Sequence, residues 1–169
     1  VVTPAKVQAE SSNGIKVDTT YTPEIVPVTP TATSSESTDI QGATQTGKPE
    51  FKGGTVTVDG VEKTVAINED VPATFDDGST IKTVDGVGTY TVAADGTVTF
   101  VPEKSFVGTA PAVTVVREDK NETKASTTYT PTVTPVKPTA TPAESTDVQG
   151  ATQTGKPVFT EGDSRVPMN

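Results

Sequence analysis

TYTVAADGTVTF (residues 89–100) reads as two β-strands around a turn. Tyr90 and Val92 alternate with Thr, and Val98 and Phe100 return with the same spacing. Side chains two apart share one face of a strand, so these four form an apolar row that needs a partner layer. Asp95-Gly96 between them suits a two-residue hairpin loop with positive φ. Outward from this hairpin the pattern recurs. TVTVDGVEKTVAI (55–67) offers a second hairpin around Asp59-Gly60. AVTVV (112–116) and KASTTYTPTV (124–133) offer a third around REDKNE. Short strands at this spacing predict an all-β sandwich. Its expected core is Val56, Val58, Val65, Ile67, Phe75, Tyr90, Val92, Val98, Phe100, Phe106, Val113, Val115 and Tyr129, a thin one.

Composition points the same way. The 169 residues include 34 Thr and 25 Val but no Leu, Trp, Cys or His. Val and Thr lose rotamer freedom in a helix and fit a pleated surface, so a helical reading is excluded. Fourteen Pro and fourteen Gly supply turns and extended connectors. The net charge of −9 argues against nucleic acid, whose phosphates demand Lys/Arg clusters, and against an anionic membrane surface. Without Cys the fold stands on packing and hydrogen bonds, with no disulfide or thiolate metal site. Without His or Cys, the Ser/His/Asp and Cys/His nucleophile systems are excluded, and a two-carboxylate glycosidase would need acids at a cleft where these fall on turns. The reading is a monomer that is not an enzyme.

The sequence also repeats itself. STDIQGATQTGKPEF (37–51) returns as STDVQGATQTGKPVF (145–159), 108 positions on. At the same offset YTPEIVPVTPTATSSE (21–36) overlies YTPTVTPVKPTATPAE (129–144), and KVQAESSNGIKVDTTYTP (6–23) overlies TVVREDKNETKASTTYTP (114–131). A fixed period of this kind marks a tandem array. The expected organisation is the C-terminal hairpin of a preceding repeat (1–30), a linker and repeat start (31–49), a complete sandwich (50–136), a Pro/Thr-rich linker (137–157) and the start of a further repeat (158–169). The chain is thus expected to be an excerpt. Pro131, Pro135, Pro138 and Pro142 bias their neighbours to extended geometry, making 130–157 a semi-rigid spacer. Residues 1 to about 20 and 159–169 are expected to be poorly ordered, lacking partner strands.

The strings YTPTVTPVKPTATPAESTDVQGATQTGKPVF and ATFDDGSTIKTVDGVGTYTVAADGTVTFVPEKSFVGTAPAVTVVREDKNETKASTTYTP resemble the CshA-type repeat of streptococcal fibrillar surface adhesins, over essentially the whole chain. Phe100, Pro102, Phe106, Gly108 and Thr109 with Val113 and Val115 are also spaced as in Ig-like and cadherin-like bacterial surface repeats. The resemblance implies an Ig-like or cadherin-like sandwich in an extracellular, cell-wall-anchored fibril. Its partners would be neighbouring repeats of the same chain. Contact with host matrix or other bacteria is implied mainly for regions outside this fragment. The function implied is a structural stalk projecting an adhesive domain; the alternative is a repeat that itself binds a host glycoprotein or partner bacterium. Two departures stand out. NET (121–123) occupies a turn where NGT would be more usual, and FTEGDSRVPMN (159–169) diverges from FKGGTVTVDGV (51–61).

Sharper readings of single motifs are weighed against plain ones. Asp76, Asp77 and Asp95 could ligate calcium, but Asp-Gly is ordinary turn composition and no closing Glu follows. An intramolecular Lys–Asn isopeptide bond would need a buried Asn, and Asn68 and Asn121 both lie in polar stretches. NET fits an N-glycosylation acceptor and equally an exposed turn. DVQGATQTGKP could be a weak ligand site multiplied by valency, or a structural linker that opens the next domain. No catalytic, cofactor-binding or metal-ligating residue is assigned, and no cofactor is expected.

Overall fold

The computed structural model describes residues 2–169, and the β-rich composition is realised as strands throughout, with no helix among the described residues. Val1, the first residue of the expected N-terminal piece, lies outside them. In chain order, β1 (Ala5–Glu10) and β2 (Lys16–Tyr21) form an antiparallel hairpin exposed along both strands. Next come β3 (Thr31–Thr33), β4 (Ser35–Ile40), β5 (Gln45–Gly47) and β6 (Glu50–Lys52), of which β6 returns antiparallel to β3. A second hairpin joins β7 (Gly54–Val58) to β8 (Val61–Val65). Then follow β9 (Thr74–Phe75), β10 (Ile81–Val84), β11 (Gly88–Val92), β12 (Val98–Pro102), β13 (Gly108–Thr109), β14 (Val113–Glu118) and the long β15 (Lys124–Thr134). Last are β16 (Thr139–Thr141) and β17 (Val158–Thr160), paired with each other.

Two sheets make the sandwich. One has the order β10-β11-β12-β5; the other runs β13-β15-β14-β9, with β4 added to β15. The hairpin 89–100 is β11–β12, with Tyr90 opposite Phe100 and Val92 opposite Val98. All four side chains are buried, and the Tyr90 and Phe100 rings lie 4.6 Å apart between centroids. From the other sheet Phe75, Val113, Val115, Tyr129 and Val133 close the core, joined by Ala73 and Ala110. Ile67 is buried at its margin.

Three expected core residues are not core. Val56, Val58 and Val65 are only half-buried, because β7–β8 pairs with nothing but itself and no second layer covers its face. Phe106 is likewise half-buried, packed against the core edge. Of the two Asp-Gly turns read from the sequence, Asp59-Gly60 is a two-residue loop and Asp95-Gly96 is not. Asp59 and Gly60 both have positive φ (51° and 76°) and link β7 to β8 directly. At 93–97, Gly96 N–H donates to Ala93 and Ala93 N–H to Thr97, and only Gly96 (φ 90°) is left-handed. That is a three-residue loop built from a type I turn and a bulge.

Pro131, read from the sequence as a spacer residue, is buried within β15. Its carbonyl accepts from Ala110 N–H, so its missing donor faces the same edge. There β13 gives way to β14 and the register slips, from Thr109↔Thr132 to Val113↔Tyr129. A proline is tolerated where the ladder is already interrupted.

The loop at 119–123 has the same hydrogen bonds as 93–97, with Glu122 N–H donating to Asp119 and Asp119 N–H to Thr123. Here the left-handed position is held by Glu122, φ 64°. An L-residue with a Cβ costs roughly 1–2 kcal/mol in that conformation. Glu122→Gly is therefore expected to stabilise the protein by about 1 kcal/mol after the glycine's extra unfolded-state entropy, read as a higher urea midpoint at unchanged m-value. A lowered midpoint would contradict the loop assignment.

Tyr90 is fully enclosed and donates its hydroxyl to the Pro111 carbonyl at 2.7 Å. Burial pushes its pKa up to about 12, and burial moves Tyr129 upward too. The unfolded phenol ionises near pH ~10, so between there and pH 12 the folded state holds more protons than the unfolded one. Stability should be level below that window and fall as pH rises through it, by roughly 2–3 kcal/mol for Tyr90. Urea melts across the window should show this fall, and Tyr90→Phe should flatten part of it.

Candidate functional site

Residues 37–47, STDIQGATQTG, run through both sheets. β4 lies parallel to β15, from Ser35 opposite Tyr129 to Ile40 opposite Thr134. The chain then turns at Gly42 (φ 83°), with Ala43 N–H donating to Ile40, and crosses to the other sheet. There β5 pairs antiparallel with β12, Gln45 opposite Phe100 and Gly47 opposite Val98. The segment expected as linker and repeat start thus supplies one strand to each layer. Because β4 and β13 both pair with β15 at Thr132 and Val133, they hold opposite edges of it.

The crossing is fixed by a chain of polar side chains inside the sandwich. Ser37 Oγ donates to Gln45 Oε1 at 2.5 Å, and Gln45 Nε2 donates to the Thr132 carbonyl at 3.0 Å. Ser37 Oγ also lies 2.6 Å from Tyr129 Oη. Since the serine proton is spent on Gln45, Tyr129 donates and Ser37 accepts. Proton donation then runs in one direction, Tyr129 to Ser37 to Gln45 to Thr132, linking both sheets through the buried Tyr129 and Gln45 and the half-buried Ser37 and Thr132. Gly47 makes room for it: a Cβ at that position would fall within the Tyr129 ring.

Sequence reasoning missed Ser37 and Gln45. The signal was present in their eight-residue spacing, repeated at Ser145 and Gln153. In the second copy Ser145 Oγ donates to Gln153 Oε1 at 2.6 Å. Val148 N–H meets Asp147 as Ile40 N–H meets Asp39, and Gly150 (φ 86°) turns as Gly42 does. The pairing of β16 with β17 reproduces that of β3 with β6, Thr139↔Thr160 standing for Thr31↔Lys52. Here the pair is exposed, with no tyrosine over it.

The aspartates weighed as calcium ligands are engaged by lysines. Lys82 Nζ reaches Asp76 at 2.8 Å and Asp77 at 3.5 Å, and Lys48 Nζ reaches Asp95 at 2.7 Å. The Lys48 ammonium, with Thr97, holds the Asp95 carboxyl well below the usual range. Of the isopeptide candidates, Asn68 is half-buried and Asn121 exposed, and no lysine is buried among the described residues. Asn121, of the NET motif, sits in the β14–β15 loop. Asp119 is the buried acid there; its Oδ1 accepts from Asn121 and Thr123 N–H.

A cleft of about 480 Å³ at one end of the sandwich is lined by Lys48, Phe51, Glu69, Asp95 and Arg117 among others. Arg117 continues the inward row of Val113 and Val115, and its Nη2 donates to the exposed Glu69 at 2.9 Å. At the matching position of the preceding repeat stands Ala9.

Comparison with known proteins gives a consistent relation. The family described as the surface adhesin CshA repetitive domain matches residues 27–133 and again 135–169, two matches that begin 108 positions apart. Among solved structures, the NMR structure of repeat domain 13 of the fibrillar adhesin CshA from Streptococcus gordonii is 57% identical, over 40% of this chain and 86% of that one. The TM-score is 0.24, so the relation rests on sequence. No curated protein matches.

Gln45→Ala would remove the acceptor of the Ser37 hydroxyl proton and the side-chain donor to the Thr132 carbonyl, and is expected to cost about 2 kcal/mol in urea unfolding. Tyr129→Phe removes only the first donor and should cost about 1 kcal/mol. Gln153→Ala, in the exposed copy, should change stability by less than about 0.5 kcal/mol. Equal losses at positions 45 and 153 would refute the assignment.

Proposed function

Because this chain belongs to the CshA surface-adhesin repeat family, we propose that it is a stalk segment of a cell-surface fibril, anchored to the cell wall, whose modules hold an adhesive region at a distance. Adhesin repeats of this family are extracellular and adjoin further repeats of the same chain. The observation that carries the stalk reading is the parallel pairing of β4 with β15. Parallel strands point the same way, so the chain comes in at the Ser35 end of the pair and leaves at the Thr134 end. The two ends of the module are thereby displaced along the strands by about 17 Å, five steps of ~3.3 Å. Antiparallel terminal strands would put arrival and departure side by side, and an array would gain little length per module.

The same pairing suits load. Tension along the fibril pulls β4 and β15 past each other, and the ladder from Ser35↔Tyr129 to Ile40↔Thr134 is loaded together. The Tyr129–Ser37–Gln45–Thr132 chain crosses that plane and shares the load. The module boundary we propose follows: the unit opens with β3 and closes at the end of β15, and the Pro-rich stretch after Thr134 spaces it from the next. The net charge of −9 keeps adjacent fibrils soluble and apart.

Small-angle scattering of arrays with increasing repeat number tests this: the maximum dimension should rise linearly with each module. A compact envelope would sink the stalk reading. Single-molecule pulling adds a directional check. Handles at positions 35 and 134 should require more force than handles at 40 and 134, which peel the strands from one end. Capture of host glycoprotein by isolated repeats would favour the direct-binding alternative.

A further inference from the structure

We infer that the groove filled by residues 37–47 also accepts residues 145–155 of a second copy of this chain, so that neighbouring molecules can join by exchanging this segment. The inference rests on the assignment of Ser37 and Gln45 as the staple, and not on the stalk reading. The groove is made by β15 on one sheet and β12 on the other. What it recognises is a strand, a four-residue crossing and a second strand, with a serine and a glutamine eight apart. Residues 145–155 differ from 37–47 at one position only, Val148 for Ile40. They already hold the required local form: the Ser145–Gln153 bond, the Asp147 cap on Val148 N–H and the left-handed Gly150. Seated in the groove, Ser145 would stand opposite Pro131, Gln153 opposite Phe100 and Thr154 opposite Thr99, and Tyr129 and the Thr132 carbonyl would meet their usual partners.

The donor is a second molecule for a geometric reason. To reach its own groove, the tail would have to leave β15 at Thr134 and bring Ala143 back opposite Tyr129. That is a reversal of about 17 Å within residues 135–142. The connector carries Pro135, Pro138 and Pro142 and holds β16 paired to β17. Proline-rich segments extend and resist such a reversal. A separate molecule brings the same letters without the tether.

The test uses the full chain, which has no cysteine of its own. The variant Thr99→Cys/Thr154→Cys is unfolded, refolded at low and high protein concentration, and oxidised. Thr46→Cys/Thr99→Cys marks the resident pairing, and peptide mapping identifies the linked positions. Expected are covalent dimers joined between positions 99 and 154, more abundant at high concentration, while the 46–99 pair links mainly within single chains. Gln153→Ala should cut the dimer yield several-fold. Gln45→Ala, which weakens the resident segment and leaves the donor intact, should raise it. Light scattering of the cysteine-free chain refolded at high concentration should show the same dimer. The inference is overturned by the absence of 99–154 dimers, by a 99–154 link confined to monomers, or by a yield indifferent to Gln153→Ala.

Discussion

A directed line of hydrogen bonds from the Tyr129 hydroxyl through Ser37 and Gln45 to the Thr132 carbonyl joins the first part of the repeat to its last strand and one sheet to the other. Buried polar groups are costly when unpaired, so such a line tolerates only one register. The apolar core alone would not impose that. Five of its eleven residues are valines, set at alternate positions along the strands, and a slip by two residues would keep the same face inside. The staple, with Gly47 beneath the tyrosine ring, admits a single crossing point between β4 and β5.

That constraint explains why the chain writes the same letters twice. A flexible spacer has no need of a serine and a glutamine at fixed separation, or of a glycine turning the chain between them. The opening segment of a sandwich does, once per module. Its local features are self-contained, which is why the second copy shows the same internal serine–glutamine bond and the same β3-like pairing although no β15 lies against it. Short-range geometry is set by the segment itself; burial is supplied by the module body.

The loops show the same division. The hydrogen bonds of 93–97 recur at 119–123, with Gly96 in one and Glu122 in the other at the left-handed position. In the second loop Asp119 compensates, accepting two backbone N–H groups from inside the turn. Local preference is overridden there because the β14 and β15 rows are already fixed by the core facing them.

Much was legible from residues alone. Alternation in 89–100, 112–116 and 124–133 gave the strands, their pairing and most of the core, because period-two burial leaves its mark on every second residue. The repeat of 108, with the resemblance it carries, gave the family, whose pattern returns at that same spacing. What no local pattern could give was the fate of 37–47 or of Pro131. Short polar strands and a proline read as connector, since their partners lie some 90 residues away in sequence. Equally, the Val56–Val58 row looked like core and is half-covered, because alternation tells which face is apolar and not whether a second sheet arrives to cover it. The sequence determined each strand by its own periodicity; which strands met, and hence the parallel clamp and its buried staple, was decided only when distant segments packed.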